Sequence, residues 1–345
     1  MTQSGTDIQK EFLSHFTEDD IIMVAPLNWG LGHASRCIPL IRMLRKKCKK
    51  VIIASDGVAL ELLKSEFPDL PFYPLSSYNI QYRYESIVLN ILLSSFYIIR
   101  AVISERKTAL KLAALNGATA ILSDNRLGFR TSGVKNYYLT HQINILHPNS
   151  IISWLGSKCH QWFIRKFDLC FVPDYSDDRA LCPALSHYGG IEKVYIGPLS
   201  RISMLNLPRI YDICVVLSGP EPQRSILEAL LLDELNLLNQ FRILLVRGTN
   251  TRITFPGIPT HIIVKDLLIS AETEHILNSS GLLISRSGYS TIMDIIHLEI
   301  KAIFIPTPGQ TEQAYLAEKC SESLKYRIIN QNEIKKLGEV INYLI

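Results

Sequence analysis

Several stretches of this chain place residues with usable chemistry where a short apolar run ends. The first is Ala25-Pro26-Leu27-Asn28-Trp29-Gly30-Leu31-Gly32-His33-Ala34-Ser35-Arg36, an apolar run, a Gly-x-Gly turn and the start of a helical spacing. A turn of this kind frees backbone N–H groups for a phosphate or an acceptor. It also sets His33 at a helix start, where a group titrating near neutrality could be a general base. A dinucleotide fingerprint would want a third glycine at Ser35 and an acid about 20 residues on, which Asp56 supplies. That partial match is the basis of an NAD reading; a tight turn that needs glycine for its backbone explains the same residues. Further on, Asp124-Asn125-Arg126 follows the run Ala120–Ser123, where Asp124 could serve as a base, orient one, or cap the next segment. His141-Gln142-Ile143-Asn144 follows the run ending at Thr140, and either a satisfied structural histidine or a site residue fits there.

Three more stations lie in the second half. Ser218-Gly219-Pro220-Glu221-Pro222-Gln223-Arg224 joins a strand to a helix. Ser285-Arg286-Ser287-Gly288-Tyr289-Ser290-Thr291-Ile292-Met293-Asp294 is a strand end, a small-residue turn with an Arg, and an acid in the first turns of a helix. That arrangement suits a diphosphate at a helix N-terminus and a carboxylate on sugar hydroxyls. Phe304-Ile305-Pro306-Thr307-Pro308-Gly309-Gln310-Thr311-Glu312-Gln313 is a strand running into a turn rich in amides, the side chains that read hydroxyl-rich ligands.

These stations need elements to hold them. Short apolar runs at 21–26, 51–54, 70–75, 120–123 and 137–140 alternate with helical spacings at 36–47, 58–66 and 87–115. The alternation resumes with strands at 213–217, 242–246, 261–264, 281–285 and 301–305 and helices at 225–238, 272–279, 291–297 and 311–319. Strands that read as continuous apolar runs between helices imply parallel sheets covered on both faces. The reading is therefore α/β, two Rossmann-like doubly wound domains facing a cleft, with ligands beyond the carboxyl ends of the strands. Residues 1–19 are expected to be a flexible leader, 20–200 the first domain and 201–345 the second, with the last helix returning onto the first. Gly197-Pro198-Leu199-Ser200-Arg201 reads as the link.

A chain of 345 residues that is 47% hydrophobic and 20% charged can fill two cores and is not mainly disordered. Its charge of +4 is uneven: residues 1–170 carry 20 Lys and Arg against 13 Asp and Glu, and residues 201–345 carry 14 against 15. That asymmetry suggests a partner surface, and without a basic-aromatic motif it does not suggest nucleic acid. The seven cysteines contain no C-x-x-C pair, which excludes a zinc knuckle and favours reduced thiols in the cytoplasm. The apolar stretch 87–103 is interrupted by Asn90, Ser94, Ser95 and Arg100, so it is too polar to span a bilayer.

The ordered pair of stations at 285–294 and 304–313 resembles the nucleotide-sugar site of glycosyltransferase family 28, which includes the bacterial enzyme that forms lipid II. Gly30-Leu31-Gly32-His33, His141–Asn144 and Gly197–Arg201 are similar to further segments of that family in the same order. The resemblance implies the glycosyltransferase-B architecture, with a UDP-sugar as donor substrate rather than cofactor. Donor contacts are then expected from Arg201, Ser218, Gly219, Glu221, Gln223, Arg224, Arg286, Ser287, Gly288, Tyr289, Ser290, Asp294, Gln310, Glu312 and Gln313. The acceptor is expected at Asn28, Gly30, Gly32, Asn125, Arg126 and Asn144, with His33, then Asp124, then His141 as the base. The family's glycine-rich phosphate loop is replaced here by a segment with two prolines, which removes two N–H donors. Glu221, Gln223 and Arg224 would have to supply more of the diphosphate contact. Related retaining enzymes place a Glu eight positions before the ribose acid; Arg286 stands there, which favours inversion. No Asp-x-Asp metal motif is present, and no metal is expected. A nucleotide-sugar 2-epimerase and a catalytically silent nucleotide-sugar binder are the alternatives. The basic residues beside 87–103 (Arg83, Arg100, Arg106, Lys107 and Lys111) suggest peripheral contact with an anionic membrane at its inner face and a lipid-linked acceptor; a core helix under the first sheet is the other reading.

Overall fold

The computed structural model describes residues 5–78, 87–219, 221–249, 257–298 and 300–345, with side chains from residue 10 and, in the helix that opens at 87, from residue 97. Arg83 and Pro220 lie outside the described residues. The chain divides into two compact units between Leu199 and Ser200. The first contains α1 (Gly5–Ser14), β1 (Ile21–Pro26), α2 (Gly32–Lys47), β2 (Lys50–Ser55), α3 (Gly57–Glu66), β3 (Phe72–Pro74), α4 (Ile87–Asn116), β4 (Ala120–Asp124), β5 (Lys135–Leu139), α5 (Ser150–Ile164), β6 (Leu169–Val172), α6 (Pro183–Ser186) and β7 (Lys193–Tyr195). The second contains β8 (Tyr211–Val216), α7 (Gln223–Leu235), β9 (Ile243–Val246), β10 (Ile262–Lys265), α8 (Ser270–Asn278), β11 (Ser280–Ser285), α9 (Tyr289–Ile295), β12 (Lys301–Phe304), α10 (Thr311–Ser321), β13 (Tyr326–Ile328) and α11 (Leu337–Leu344).

Each unit is built on a parallel sheet. Among the described residues the strand orders are β3-β2-β1-β4-β5-β6-β7 and β10-β9-β8-β11-β12-β13. Both sheets therefore reverse direction beside their first strand, at β1/β4 and at β8/β11. The crevice beyond the strand ends at such a point is where ligands of doubly wound folds sit. The registers place corresponding positions side by side: Pro26 pairs with Asp124, Asp124 with Leu139, and Ser285 with both Val216 and Phe304.

The central strands are buried on both faces, which is why they read as unbroken apolar runs. On α7, Leu227, Leu231 and Leu235 recur every four residues and form one buried stripe over the second sheet. Leu337, Ile341 and Leu344 of α11 enter the same core, each side chain contributing about 1.5–3 kcal/mol by burial. The last helix is thus part of the second unit's own core.

The leader also differs from expectation. It forms α1, and Phe12 on that helix and Phe16 two residues past its end are both buried. Phe12 meets Phe171 edge-on with centroids 5.0 Å apart, and Phe16 meets Tyr137 at 5.1 Å. Two aromatic side chains bury enough area to dock a short helix that its polar neighbours would leave in water. Between β5 and the link, α5, α6, β6 and β7 complete the first unit where no elements were expected.

Candidate active site

In the first unit, β1 leads through Leu27–Leu31 into α2. Gly30 has φ +79°, a left-handed conformation that accounts for glycine at this position on backbone grounds. Because α2 already starts at Gly32, His33 and Arg36 stand three residues apart on one face of its first turn. That face meets the end of β4. Arg36 donates through Nε to Asp124 Oδ2 at 2.8 Å and through Nη2 to Asp124 Oδ1. Nη1 of the same guanidinium donates to His141 Nδ1 at 2.8 Å. His33 Nδ1 lies 3.1 Å from Asp124 Oδ1 and 2.9 Å from Arg36 Nη2. The three candidates for the base are therefore brought together, and Arg36 joins them.

The geometry separates their chemistry. Burial alone would raise the pKa of Asp124, but the Arg36 guanidinium and then His33 hold the carboxyl well below the usual carboxylate range. A carboxylate so fixed, with no exposed surface, orients its neighbours and does not collect a proton. His141 presents its Nδ1 to the Arg36 guanidinium, whose N–H donates to it. His33 is lowered by burial, with Asp124 pulling the other way, so its ring is neutral at pH 7. In the tautomer that donates from Nδ1 to Asp124, Nε2 carries the lone pair, and Nε2 has no hydrogen bond among the described residues.

The expected acceptor residues fare unevenly. Arg126 has no exposed surface, and its guanidinium binds Asp56, Glu105 Oε1 at 2.6 Å and the Pro26 carbonyl at 2.9 Å. It is a scaffold of the β1/β4 region, because a fully paired buried guanidinium has nothing left for a ligand. Asn28 donates to Asp56 at 3.1 Å and accepts from Ala59 N at 3.3 Å, which also engages the acid of the NAD reading. Asn125 takes φ +55° and leaves its Oδ1 buried without a partner. Asn144 is bonded to the Ala184 and His187 carbonyls and accepts from Gln161. It borders a cavity of about 490 Å³ that Ser157, Lys158, Gln161 and Tyr188 also line, and Gln161 Oε1 is buried there without a partner.

In the second unit, Arg286 follows β11 and is 1% exposed. Its Nη1 donates to the carbonyls of Ile305 (3.1 Å) and Pro306 (3.2 Å), and its Nη2 to Gln223 O (3.0 Å) and Gln331 Oε1 (2.7 Å). No carboxylate among the described residues is within ion-pair reach, and burial lowers its pKa to about 10. Its Nε, Gln223 Oε1 and the neighbouring Thr307 Oγ1 are all buried without hydrogen-bond partners. Asp294, on α9, accepts from Arg201 N (3.2 Å), Arg201 Nε (3.2 Å) and Ser200 Oγ (3.3 Å). Burial raises its pKa, and Arg201 opposes that. Gln313 accepts from Thr307 N at 2.9 Å and donates to Gln310 Oε1 at 2.5 Å, while its carbonyl accepts from Ser287 Oγ at 2.7 Å. Ser290, Glu312 and the glycine cap Gly288 are half-buried along the same edge.

Three donor assignments change. Arg224 is tied to Glu221 (2.6 Å), Glu228 (2.9 Å) and Ser225 (2.6 Å), so it has no fork to offer a diphosphate. Glu221 spends its carboxylate on Arg224 and on Ser225 N, and as an anion it would repel phosphate. The Tyr289 side chain is 3% exposed in the core, which leaves the backbone for any contact. Ser218 and Gly219 remain at the end of β8, with Gly219 at φ +103°. Sequence reasoning missed Arg36, Thr307 and Gln331. For Arg36 the signal was present, three positions after His33 at helical spacing; for Gln331, 45 residues from Arg286, there was none.

Solved structures similar to nearly the whole chain carry the same two-unit architecture. They include the glycotransferase of kitacinnamycin (12% identity, TM-score 0.66, covering 95% of this chain and 91% of that one). Spinosyn rhamnosyltransferase SpnG complexed with thymidine diphosphate (13%, 0.58, 94% and 92%) and MurG of Acinetobacter baumannii (14%, 0.52, 94% and 91%) are two more. No curated protein matches the chain by sequence. The fold is that of the GT-B glycosyltransferases. More particularly, residues 214–345 match the model of the glycosyltransferase family 28 C-terminal domain, the family that the two stations of the second half resemble.

Proposed function

We propose that the protein is an inverting, metal-independent transferase that moves a hexose-type sugar from a UDP-sugar to an acceptor hydroxyl. The observation that carries this reading is the His33–Asp124 pair at the β1/β4 switch point: a neutral imidazole backed by a carboxylate that stays ionised. In that role Nε2 takes the hydroxyl proton while the acceptor oxygen attacks the anomeric carbon. The carbon–oxygen bond to the diphosphate breaks on the opposite face, and UDP leaves. Attack opposite the leaving group inverts the anomeric centre. Arg286, buried without an acid, supplies positive potential where negative charge grows on the diphosphate. Asp294 takes the ribose hydroxyls, and Gln310 and Gln313 read the sugar.

The acceptor in this reading is lipid-linked. Its support is the basic first half of the chain and the outward face of α4, where Tyr97, Ile99 and Ile103 are exposed next to Arg100, Arg106 and Lys107. No helix among the described residues is long and apolar enough to cross a membrane. On its inner side α4 packs Ala101 and, further along, Ala109, Leu112 and Ala113 into the first unit.

Incubation with labelled UDP- and dTDP-sugars tests the proposal. Transfer or hydrolysis with inverted configuration supports it, and free UDP with an altered sugar would mark an epimerase. A silent binder is the second reading, favoured by Asp294 being held by Ser200 and Arg201 and by the replaced phosphate loop; saturable binding without turnover would establish it. Asp294→Ala should lower donor affinity by about 2–4 kcal/mol, since two charge-assisted hydrogen bonds are lost. An unchanged dissociation constant for UDP removes the ribose assignment.

A further inference from the structure

Helix α5 is inside out. On an ordinary surface helix the apolar stripe faces the core and the polar residues face water. Here the inward positions are Ser153, Ser157, His160, Gln161 and Ile164; Ile164, near the C-terminal end, enters the core, and the four polar residues are each bonded to the first unit. Ser153 Oγ donates to the Ile145 carbonyl at 2.6 Å, Ser157 Oγ accepts from Ile145 N at 2.9 Å, His160 Nε2 is 3.0 Å from Tyr138 Oη, and Gln161 Nε2 donates to Asn144 at 3.1 Å. The outward positions are Ile151, Trp154, Leu155 and Trp162, exposed by 67%, 60%, 55% and 54%. At 100° per residue these four, with Lys158, fall within roughly one third of the helix circumference, and Lys166 follows just past the helix end. The polar face holds the helix in place, and the apolar face is what it displays.

We propose that this face is a docking surface for an anionic lipid bilayer. Its charge points to that occupant. Lys158, Arg165 and Lys166 are interleaved with the apolar residues, and residues 125–167 include no Asp or Glu. The Lys166 ammonium lies 4.5 Å from the Trp162 ring centroid. Large apolar groups at the acyl boundary with cationic heads at the phosphates are the pattern of a helix that lies in the membrane interface. A second copy of this chain fits less well, because a two-fold contact would set Lys158 and Lys166 against their own counterparts. The cavity of about 490 Å³ shares Trp154 and Lys158 with this face, so the bilayer would meet the unit at the cavity's rim. The proposal deepens the lipid-linked reading of the acceptor and rests on it only for its purpose; the surface stands on α5.

The chain's composition supplies the test. It has three tryptophans, and two of them, Trp154 and Trp162, are on this face, so in a Trp29→Phe variant emission reports α5 alone. Mixed with vesicles of phosphatidylcholine and phosphatidylglycerol at low salt, that variant should co-sediment, shift its emission to the blue and be quenched by brominated acyl chains. High salt, or pure phosphatidylcholine, should weaken binding at least tenfold, and so should Lys158→Glu with Lys166→Glu in a protein of unchanged circular dichroism. Protein that stays in the supernatant at low salt overturns the proposal. Binding with unshifted emission also overturns it and moves the contact to another surface, such as α4. A dimer that Leu155→Ser dissociates, without vesicle binding, assigns the face to a second copy instead. No donor is present in any of these measurements, so loss of vesicle binding leaves transfer to a soluble acceptor standing, and loss of transfer leaves the docking surface standing.

Discussion

At the switch point of the first sheet, one guanidinium serves an aspartate and two imidazoles; at the matching point of the second, the guanidinium of Arg286 meets carbonyls and an amide but no acid. The first cluster is balanced: the Arg36 cation pairs with Asp124, held ionised, beside two imidazoles. The second is not, and three of its buried polar atoms lack partners. The same strand order has thus been furnished in two ways. A self-satisfied cluster is already shaped for a proton transfer, whereas a cluster with open valences and a net positive charge is completed by an anionic ligand.

The sharpest way to break this contrast is to remove each guanidinium. Arg36→Ala strands the Asp124 carboxylate in the interior and should destabilise the first unit by about 3–5 kcal/mol. Arg286→Met strands no charge, so its cost should be about 1–3 kcal/mol, with a clear loss of donor affinity. Urea unfolding of both variants measures this, and equal losses would mean that the two clusters are built alike. Next, His33→Ala should slow transfer by about 10²–10⁴-fold and leave donor binding unchanged. Because burial lowers the His33 pKa, the acid limb of the wild-type rate profile should fall below pH 6.5; a limb above that value would point to another base.

Acid should also act on the first unit selectively. Burial lowers His160 to about 4, so the unfolded chain takes up a proton from pH 6.5 downward while the folded protein does not. The stability this neutral ring contributes is whole above pH 6.5 and declines toward pH 4, by on the order of 3 kcal/mol. Unfolding curves across that range should be flatter for His160→Gln. The smallest effect is expected at Gln313: replacing it by Ala should change the ranking of donor sugars more than the affinity for UDP, as competition assays with a sugar panel would show.

The central strands of both sheets were legible in the sequence because buried parallel strands are written as uninterrupted apolar runs, whereas β6, β7 and β13 at or near the sheet edges were not read. The segment between β5 and the link was not, and α5 shows why: with serines and a glutamine facing inward and only Ile164 entering the core, its apolar residues gave no core stripe to find. The leader failed for a related reason, since two aromatic residues carry its docking. In the site, His33, Asp124 and His141 could be singled out one at a time by their places after strands. Their common partner could not, because Arg36 reaches Asp124 across 88 residues and His141 across 105. Arg126 and Arg224 mislead for the same cause: a guanidinium paired in the interior and one offered to a ligand are the same letter.

Asp294 has one more consequence. Its three hydrogen bonds come from Ser200 and Arg201, the residues that begin the second unit directly after the link. In the proposed role, a ribose on this carboxylate would compete with those donors, so nucleotide occupancy and the freedom of Ser200 and Arg201 would become linked quantities. Linkage is reciprocal: whatever factor by which holding Arg201 on Asp294 weakens the nucleotide, the nucleotide weakens that hold equally. The carboxylate is then a balance point where the chemistry of a small molecule is weighed against the slack of the polypeptide.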